Sequence, residues 1–237
     1  MRPFRGVFSW IPLLAVCLFS AACGGSGVDA PAETPRATPA PKATTPAPKA
    51  KPKVVALGDS LTAGLGLVEN QAYPAILQQR IDAEGYGFEV VNAGVSGDTS
   101  AGGVRRLDWA LDGDVKVLIL ALGANDGLRG LSVQDLRQNL TTIITRARER
   151  NVVVILAGME APPNYGQEYA TAFRQAYREI ATREKVLFLP FLLDKVAGQS
   201  TMNQGDGIHP NERGARIVAD NIWSVLKPLL DQMTASS

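Results

Sequence analysis

The chain is poor in cysteine and histidine and carries almost no net charge. Two of its 237 residues are Cys, one is His, and the formal net charge is +1. Because Cys17 and Cys23 both precede the region of globular composition, that region has no thiol for a disulfide, a nucleophile or a metal site. The near-neutral charge offers no basic excess for binding nucleic acid. Reactive chemistry in the folded part is therefore left to oxygen-bearing side chains and one imidazole.

The chain also lacks a hydrophobic run of the roughly 20 residues that a membrane-spanning helix requires. Its N-terminus has two arginines, a short apolar run over residues 10–19, and the small-residue stretch "SAACGGSG". This order predicts an export signal over residues 1–22. Cleavage near Ala22 is one interpretation, but the stretch resembles a bacterial lipobox, with Ser20 where that pattern usually has Leu. We therefore expect lipidation of Cys23 and an exported, membrane-anchored lipoprotein facing the periplasm or the cell exterior.

The segment after the signal has no aromatic and no large aliphatic side chain. Residues 29–53 contain seven Pro, seven Ala and four Thr. Such a composition cannot bury enough apolar surface to form a core, and it favours extended polyproline conformations. We predict a lipidated Cys and linker over residues 23–53, a folded domain over 54–232 and a short tail over 233–237.

Within the predicted folded domain, short apolar runs alternate with longer segments that have the apolar spacing of amphipathic helices. The runs predict strands, apolar on both faces as in a sheet covered by helices, at residues 54–57, 88–92, 115–122, 152–158 and 186–191. The helical periods place Leu136, Leu140, Ile143 and Ala147 on one stripe, Tyr169, Phe173, Ala176 and Ile180 on a second, and Val218, Ile222, Val225 and Leu229 on a third. Weaker helical signals lie at 72–83 and 100–111. This alternation predicts an α/β fold with an open parallel sheet.

Polar and glycine-rich segments follow most of these strands. They are "GDS" with Ser60, "NAGVSGDT" with Gly94 and Gly97, "GAND" with Asn125, and "GDGIHP" with Asp206 and His209. Taken singly, each segment fits a turn or a helix cap. In open parallel sheets, however, ligands bind beyond the carboxyl ends of the strands, so these segments should meet at one edge.

Together the segments contain every group that acyl transfer needs. Ser60 is the candidate nucleophile, His209 the candidate base, and Asp206 the carboxylate that orients the imidazole. The backbone N–H groups of Ser60 and Gly97 and the side-chain amide of Asn125 are the candidate donors of an oxyanion hole.

The blocks "GDSL", "SGDT", "GAND" and "DGIHP" resemble, in order, those of the SGNH (GDSL) hydrolases, and the resemblance covers about 54–230. The stretches "VVNAGVSGDTSAGG", "GANDGLRGL" and "PPNYG" look like the bacterial thioesterase I, lysophospholipase and arylesterase branch. This resemblance implies a flavodoxin-like three-layer α/β/α sandwich with a five-stranded parallel sheet. It implies serine esterase chemistry without metal or cofactor, and Gly97 rather than Gly94 as the oxyanion glycine. It also implies a mobile substrate-binding loop formed by Gly127, Leu128, Arg129, Gly130 and Leu131.

The expected activity is hydrolysis of carboxylic esters, namely aryl esters, lysophospholipids or fatty-acyl esters, with acyl thioesters as a further substrate class. The alternative is a carbohydrate O-acetyl esterase acting on envelope polysaccharide. A non-catalytic envelope protein that binds lipid or glycan, and a metallohydrolase built on Asp59, Asp126, Asp206 and His209, are further hypotheses. Nothing in the sequence indicates an exposed apolar face, so a monomer without a nucleic-acid partner is expected.

Overall fold

The computed structural model describes residues 50–235. The predicted signal at 1–22, Cys23 and most of the linker lie outside the described residues. The strands are β1 (Lys53–Gly58), β2 (Glu89–Gly94), β3 (Val115–Ala121), β4 (Val153–Ala157) and β5 (Leu187–Leu189). The α-helices are α1 (Ser60–Ala63), α2 (Tyr73–Ala83), α3 (Ser100–Ala110), α4 (Ala124–Leu128), α5 (Val133–Glu149), α6 (Gln167–Glu184) and α7 (Glu212–Ala235). Two 3₁₀ turns span Glu69–Gln71 and Pro163–Tyr165.

The five strands form one parallel sheet in the order β2-β1-β3-β4-β5. Right-handed crossovers determine which face each helix covers. The chain moves one way along the sheet from β1 to β2 and the other way afterwards, so α2 lies on the face opposite to α3, α5 and α6. The packing agrees, since α3 contacts α5, α5 contacts α6, and α2 contacts α7. The result is the predicted three-layer α/β/α sandwich.

The central strands are apolar along their whole length because helices cover both of their faces. Val54, Leu57, Val117 and Leu120 are fully buried. Such continuous apolar runs are typical of parallel strands. At about 25 cal/mol for each Å² of apolar surface removed from water, these strands and the helices packed on them account for most of the driving force for folding.

The helix boundaries follow local signals in the sequence. The Ser132 hydroxyl accepts a hydrogen bond from the Asp135 N–H at 3.3 Å and so caps the start of α5. The side chain of Asn211 caps α7 by accepting hydrogen bonds from the N–H groups of Arg213 and Gly214. On α7, Leu226 is fully buried where the sequence stripe placed Val225, which is only partly buried.

No helix within residues 50–235 combines the length and the apolar character that crossing a membrane requires. The five predicted strands are confirmed to within two residues at each end. The short helices α1 and α4 begin within the "GDS" and "GAND" segments, which the sequence indicated as turns or helix caps. Both follow a strand directly at the carboxyl edge of the sheet, where the polar segments lie.

Candidate active site

Ser60 lies in a tight turn directly after β1, at the first residue of α1. The Asp59 carboxylate accepts a hydrogen bond from the Leu61 N–H at 3.0 Å and so caps the short helix. Gly58 permits the turn because a Cβ there would lie 1.8 Å from the Thr62 hydroxyl oxygen and 2.9 Å from the Ala121 carbonyl oxygen. The strand end therefore places the Ser60 side chain at the edge of the sheet.

His209 and Asp206 complete a chain of polar groups with Ser60. Nε2 of His209 lies 2.9 Å from Oγ of Ser60, and Nδ1 lies 2.7 Å from Oδ2 of Asp206. Because a carboxylate can only accept, Nδ1 carries the proton and Nε2 is left to accept the serine hydroxyl. The structure thus brings together the three residues, 149 positions apart at their extremes, that the sequence predicted to meet.

Asp206 is held as a carboxylate by its own loop. Its Oδ1 accepts from the backbone N–H groups of His209 and Ile208, each at 3.0 Å. The hydrogen bonds from the His209 N–H, the His209 ring and the Ile208 N–H lower the pKa of Asp206 to about 2. This carboxylate therefore remains ionised across the range in which esterases are assayed.

The loop that carries His209 is attached to the segment that follows Ser60. The Gln204 N–H donates to the His209 carbonyl at 2.7 Å, which closes the loop. The Gln204 side-chain amide donates to the Leu65 carbonyl at 2.7 Å and to the Pro210 carbonyl at 3.0 Å. Gln204 thereby joins the loop that carries His209 to the segment that follows Ser60.

Gly97 lies in the loop after β2, in a turn closed by the hydrogen bond from the Asp98 N–H to the Val95 carbonyl at 3.1 Å. Its φ of +80° is a conformation that glycine adopts without strain, and a Cβ there would meet only Nη2 of Arg129, at an ordinary contact distance of 3.8 Å. Gly94 is different: it lies in β2, and a Cβ there would lie 2.2 Å from the Ala63 nitrogen. Gly97 is the glycine that a substrate oxygen can approach, whereas Gly94 lets β2 pack against α1.

Asn125 lies on α4, directly beyond β3. Its side-chain nitrogen donates to the Asp98 carbonyl at 2.9 Å and, more weakly, to Oδ2 of Asp59 at 3.3 Å. The amide thus reaches from the third strand toward both the Ser60 turn and the Gly97 loop. The longer bond to Asp59 is the one that a substrate oxygen can replace at least cost.

Asp59 is fully buried below the Ser60 turn. Burial raises the pKa of Asp59 to about 6, although hydrogen bonds from the Leu61 N–H and the Asn125 amide act in the opposite direction. The sequence predicts a helix cap or, in the metallohydrolase hypothesis, a metal ligand at Asp59. The cap is confirmed, and the carboxylate additionally contacts a candidate oxyanion donor.

A cleft of about 480 Å³ opens beside Ser60 and His209. Its walls are largely apolar and include Leu61, Leu128, Met159, Pro162, Phe191 and Ile208. Met159 and Phe191 follow β4 and β5, so the rule that ligands bind beyond the carboxyl ends of strands could have found them. Neither side chain is reactive, so the sequence pattern of reactive groups did not point to them.

The predicted substrate-binding loop divides into parts with different contacts. Of its five residues, Leu128 lines the cleft, while the Arg129 side chain donates to the Gly97 carbonyl at 2.9 Å. The Tyr165 hydroxyl donates to the Leu128 carbonyl at 3.1 Å, and the Tyr169 hydroxyl to the Leu131 carbonyl at 2.8 Å. Two tyrosines thus hold the backbone of this loop in its present position.

The four residues of the metal-site hypothesis do not form one cluster. Asp126 directs both carboxylate oxygens at Ser100, accepting from its N–H at 2.8 Å and its hydroxyl at 2.6 Å. Among residues 50–235, no three His, Asp or Glu side chains are grouped so that they could hold a metal ion. Asp126 instead ties the start of α3 to α4.

A hydroxyl, an imidazole and a carboxylate in series at the carboxyl edge of a parallel sheet are the arrangement that defines a serine hydrolase. The sequence pattern of the GDSL-like lipase/acylhydrolase family matches residues 56–217. The chain belongs to this family.

Known relatives agree with this assignment. The chain is 44% identical over 178 residues to the Pseudomonas aeruginosa protein named esterase TesA, which covers 75% of this chain and 89% of that protein. It is 36% identical over 176 residues to the Escherichia coli thioesterase 1/protease 1/lysophospholipase L1, covering 74% and 83% of the two chains. The crystal structure of the psychrotrophic esterase EstA from Pseudoalteromonas sp., inhibited by monoethylphosphonate, superposes with a TM-score of 0.72 at 33% identity and covers 76% and 98%.

Proposed function

We propose that Ser60, His209 and Asp206 catalyse the ester hydrolysis of this SGNH esterase through an acyl-enzyme. The observation that supports this most directly is the unbroken hydrogen-bonded series, 2.9 Å from Ser60 to His209 and 2.7 Å from His209 to Asp206. A serine hydroxyl is a weak nucleophile, and an imidazole at this distance accepts its proton as the new bond forms. The Asp206 carboxylate stabilises the imidazolium that results.

The reaction proceeds in two halves. Oγ of Ser60 attacks the ester carbonyl carbon, and its proton moves to Nε2 of His209. The tetrahedral oxyanion lies against the N–H groups of Ser60 and Gly97 and the amide of Asn125, and its collapse releases the alcohol with the proton from His209. Water then attacks the acyl-enzyme, with His209 again as the base, and releases the carboxylic acid.

The apolar cleft indicates the class of substrate. Its walls match an alkyl or aryl group better than a sugar, which requires several polar partners, and its volume of about 480 Å³ exceeds the need of an acetyl group. We infer that fatty-acyl and aryl esters, including lysophospholipids, are the preferred substrates. The names of the relatives, esterase and thioesterase/lysophospholipase, support the same class.

The first test replaces the nucleophile. Ser60→Ala should abolish turnover of a p-nitrophenyl ester while leaving the melting temperature within a few degrees, and it should prevent labelling by an organophosphonate. Ser224→Ala is the matched control, because Ser224 lies on α7 and bonds only the Asn221 carbonyl. Retention of most activity by Ser60→Ala would refute the mechanism.

The second test measures substrate preference. We expect kcat/KM for p-nitrophenyl octanoate to exceed that for the acetate, because the longer chain fills the apolar cleft. A preference for acetate over octanoate and palmitate would instead indicate the O-acetyl esterase alternative.

We also propose that the enzyme is exported and anchored through a lipid on Cys23. Support comes from the signal-like and lipobox-like stretch and from the Pro-rich composition of residues 29–53. An extended chain of such composition reaches about 3 Å per residue, which would let a tethered domain reach its substrate. In a bacterial host, the wild type should partition into the detergent phase and Cys23→Ala into the aqueous phase. Equal partitioning of both would exclude the anchor.

A further inference from the structure

Arg106 on α3 reaches toward the carboxyl edge of the sheet and binds three acceptors there. Its Nη2 donates to the Gly58 carbonyl, its Nη1 to the Ala93 carbonyl and its Nε to Oδ2 of Asp98, each at 2.7 Å. Gly58 ends β1 and precedes the Ser60 turn, and Ala93 lies near the end of β2. One planar guanidinium therefore joins the two strand ends that carry the nucleophile and the Gly97 loop.

Asp98, the partner of Arg106, connects the candidate oxyanion donors. It directly follows Gly97, and its own N–H closes the turn in which Gly97 lies. Its carbonyl accepts the 2.9 Å hydrogen bond from the Asn125 amide. A displacement of Asp98 would therefore move the Gly97 N–H and free the Asn125 amide at the same time.

Gly102 makes room for the Asp98 carboxylate. A Cβ at position 102 would lie 1.5 Å from Oδ1 of Asp98, so any larger residue there would displace the carboxylate. Gly102 is also the third residue of α3, where alanine would ordinarily be the better helix former. Contact with Asp98 explains a glycine at this point.

The pair differs from the other ion pairs of the same helix. The side chains of Arg106 and Asp98 are only 17% and 11% exposed. Asp108, also on α3, binds Arg146 and Arg150 of α5, but its side chain is 67% exposed. Exposed ion pairs contribute little to stability because water screens them. The largely buried guanidinium of Arg106, with its three acceptors, instead holds the groups around it in one geometry.

We propose that Arg106 and Asp98 are positioning residues that hold the oxyanion donors Gly97 and Asn125 in place relative to Ser60. Neither side chain touches the reacting atoms. Their effect is preorganisation: donors that are already aimed at the developing oxyanion need no rearrangement as charge forms. This inference rests on the serine esterase mechanism proposed above.

The test separates kcat from KM in three variants. Asp98→Ala removes the acceptor of Nε, Gly102→Ala displaces the same carboxylate without deleting a polar group, and Arg106→Gln removes the fork. With p-nitrophenyl butyrate, each should lower kcat by about 10²-fold, the loss typical for one oxyanion donor, with KM changed by less than about threefold. Asp98→Asn keeps an acceptor oxygen and should recover at least about tenfold over Asp98→Ala.

Asp108→Ala is the control, since it breaks two ion pairs of α3 outside the site. It should keep wild-type kcat. If kcat in Asp98→Ala and Gly102→Ala stays above about one third of wild type, the positioning role is refuted. It is also refuted if Asp108→Ala, at a similar loss of melting temperature, loses as much kcat as these two variants. Should Arg106→Gln fail to fold, the other two variants decide the matter.

Activity in Ser60→Ala would refute the mechanism itself, whereas an inactive Ser60→Ala beside a fully active Asp98→Ala would refute only this inference.

Discussion

The two halves of the site are supported in different ways. The nucleophile half, with Asp59 fully buried and Ser60 only 9% exposed, lies on the ends of the central strands. The base half lies on a loop outside the sheet, where the Asp206 side chain is 45% exposed. Half of the chemistry is thus positioned by the hydrophobic core and half by hydrogen bonds within one loop.

Strand register accounts for the nucleophile half. Gly58 pairs with Gly94 on one side and Ala121 on the other, so the segments after β1, β2 and β3 leave the sheet at the same level. The Gly97 loop and Asn125 are therefore placed beside Ser60 by the same pairing that forms the core. The base half is not positioned by strand pairing. Hydrogen bonds of Gln204 and Asp206 hold its loop instead. Disturbing each half should consequently have different effects.

The largest difference is expected between the two members of the base half. His209→Ala should lower kcat by about 10⁶-fold, because it removes the base that accepts the serine proton. Asp206→Asn should cost less, about 10⁴-fold or below, because the imidazole is still present and water reaches the exposed position 206. Steady-state kinetics on a p-nitrophenyl ester would measure both, and equal losses would contradict the comparison.

For the nucleophile half, the effect of burial should appear in the pH dependence of the free energy of unfolding. The pKa of Asp59 rises from 3.8 to about 6 on folding, so its contribution to stability is complete below pH 3.8 and is lost as pH rises through 6. The full shift corresponds to on the order of 3 kcal/mol, about two thirds of it between pH 4.5 and 7.5.

As the pH rises from 4.5 to 7.5, the free energy of unfolding should therefore fall less in Asp59→Asn than in the wild type. The difference, measured by urea unfolding, should be on the order of 2 kcal/mol. The hydrogen bond from Asn125 favours the ionised form of Asp59, and its effect is already contained in the pKa of about 6. The other carboxylates titrate in both proteins, so their contributions cancel. Identical pH dependence in the two proteins would show that Asp59 titrates normally.

The smallest effect is expected at the link between the halves. Gln204→Ala removes the side-chain bonds to Leu65 and Pro210, each worth about 1 kcal/mol, so kcat should fall roughly three- to tenfold while KM stays nearly constant. Gln134→Ala, on the exposed surface of α5 and outside the cleft, should have no effect. An unchanged kcat in Gln204→Ala would mean that the loop holds His209 without this link.

The sequence predicted the nucleophile half more completely than its supports. Ser60, Gly97 and Asn125 each follow an apolar run, and the geometry of parallel sheets requires such segments to meet at one edge. His209 was identifiable because it is the single imidazole of the chain. Arg106 left no comparable signal, since a basic residue within a helix ordinarily faces solvent.

The sequence by itself determined the order of strands and helices, the parallel sheet and the edge at which the reactive groups meet, because these follow from apolar periodicity and chain connectivity. Only the tertiary structure decided that Asp59 is buried enough to raise its pKa, that the Asn125 amide binds both Asp59 and Asp98, and that Arg106 reaches two strand ends. These properties depend on which atoms lie within a few ångströms of one another and on how much water remains between them. Residues far apart in the chain acquire those neighbours only when the layers pack.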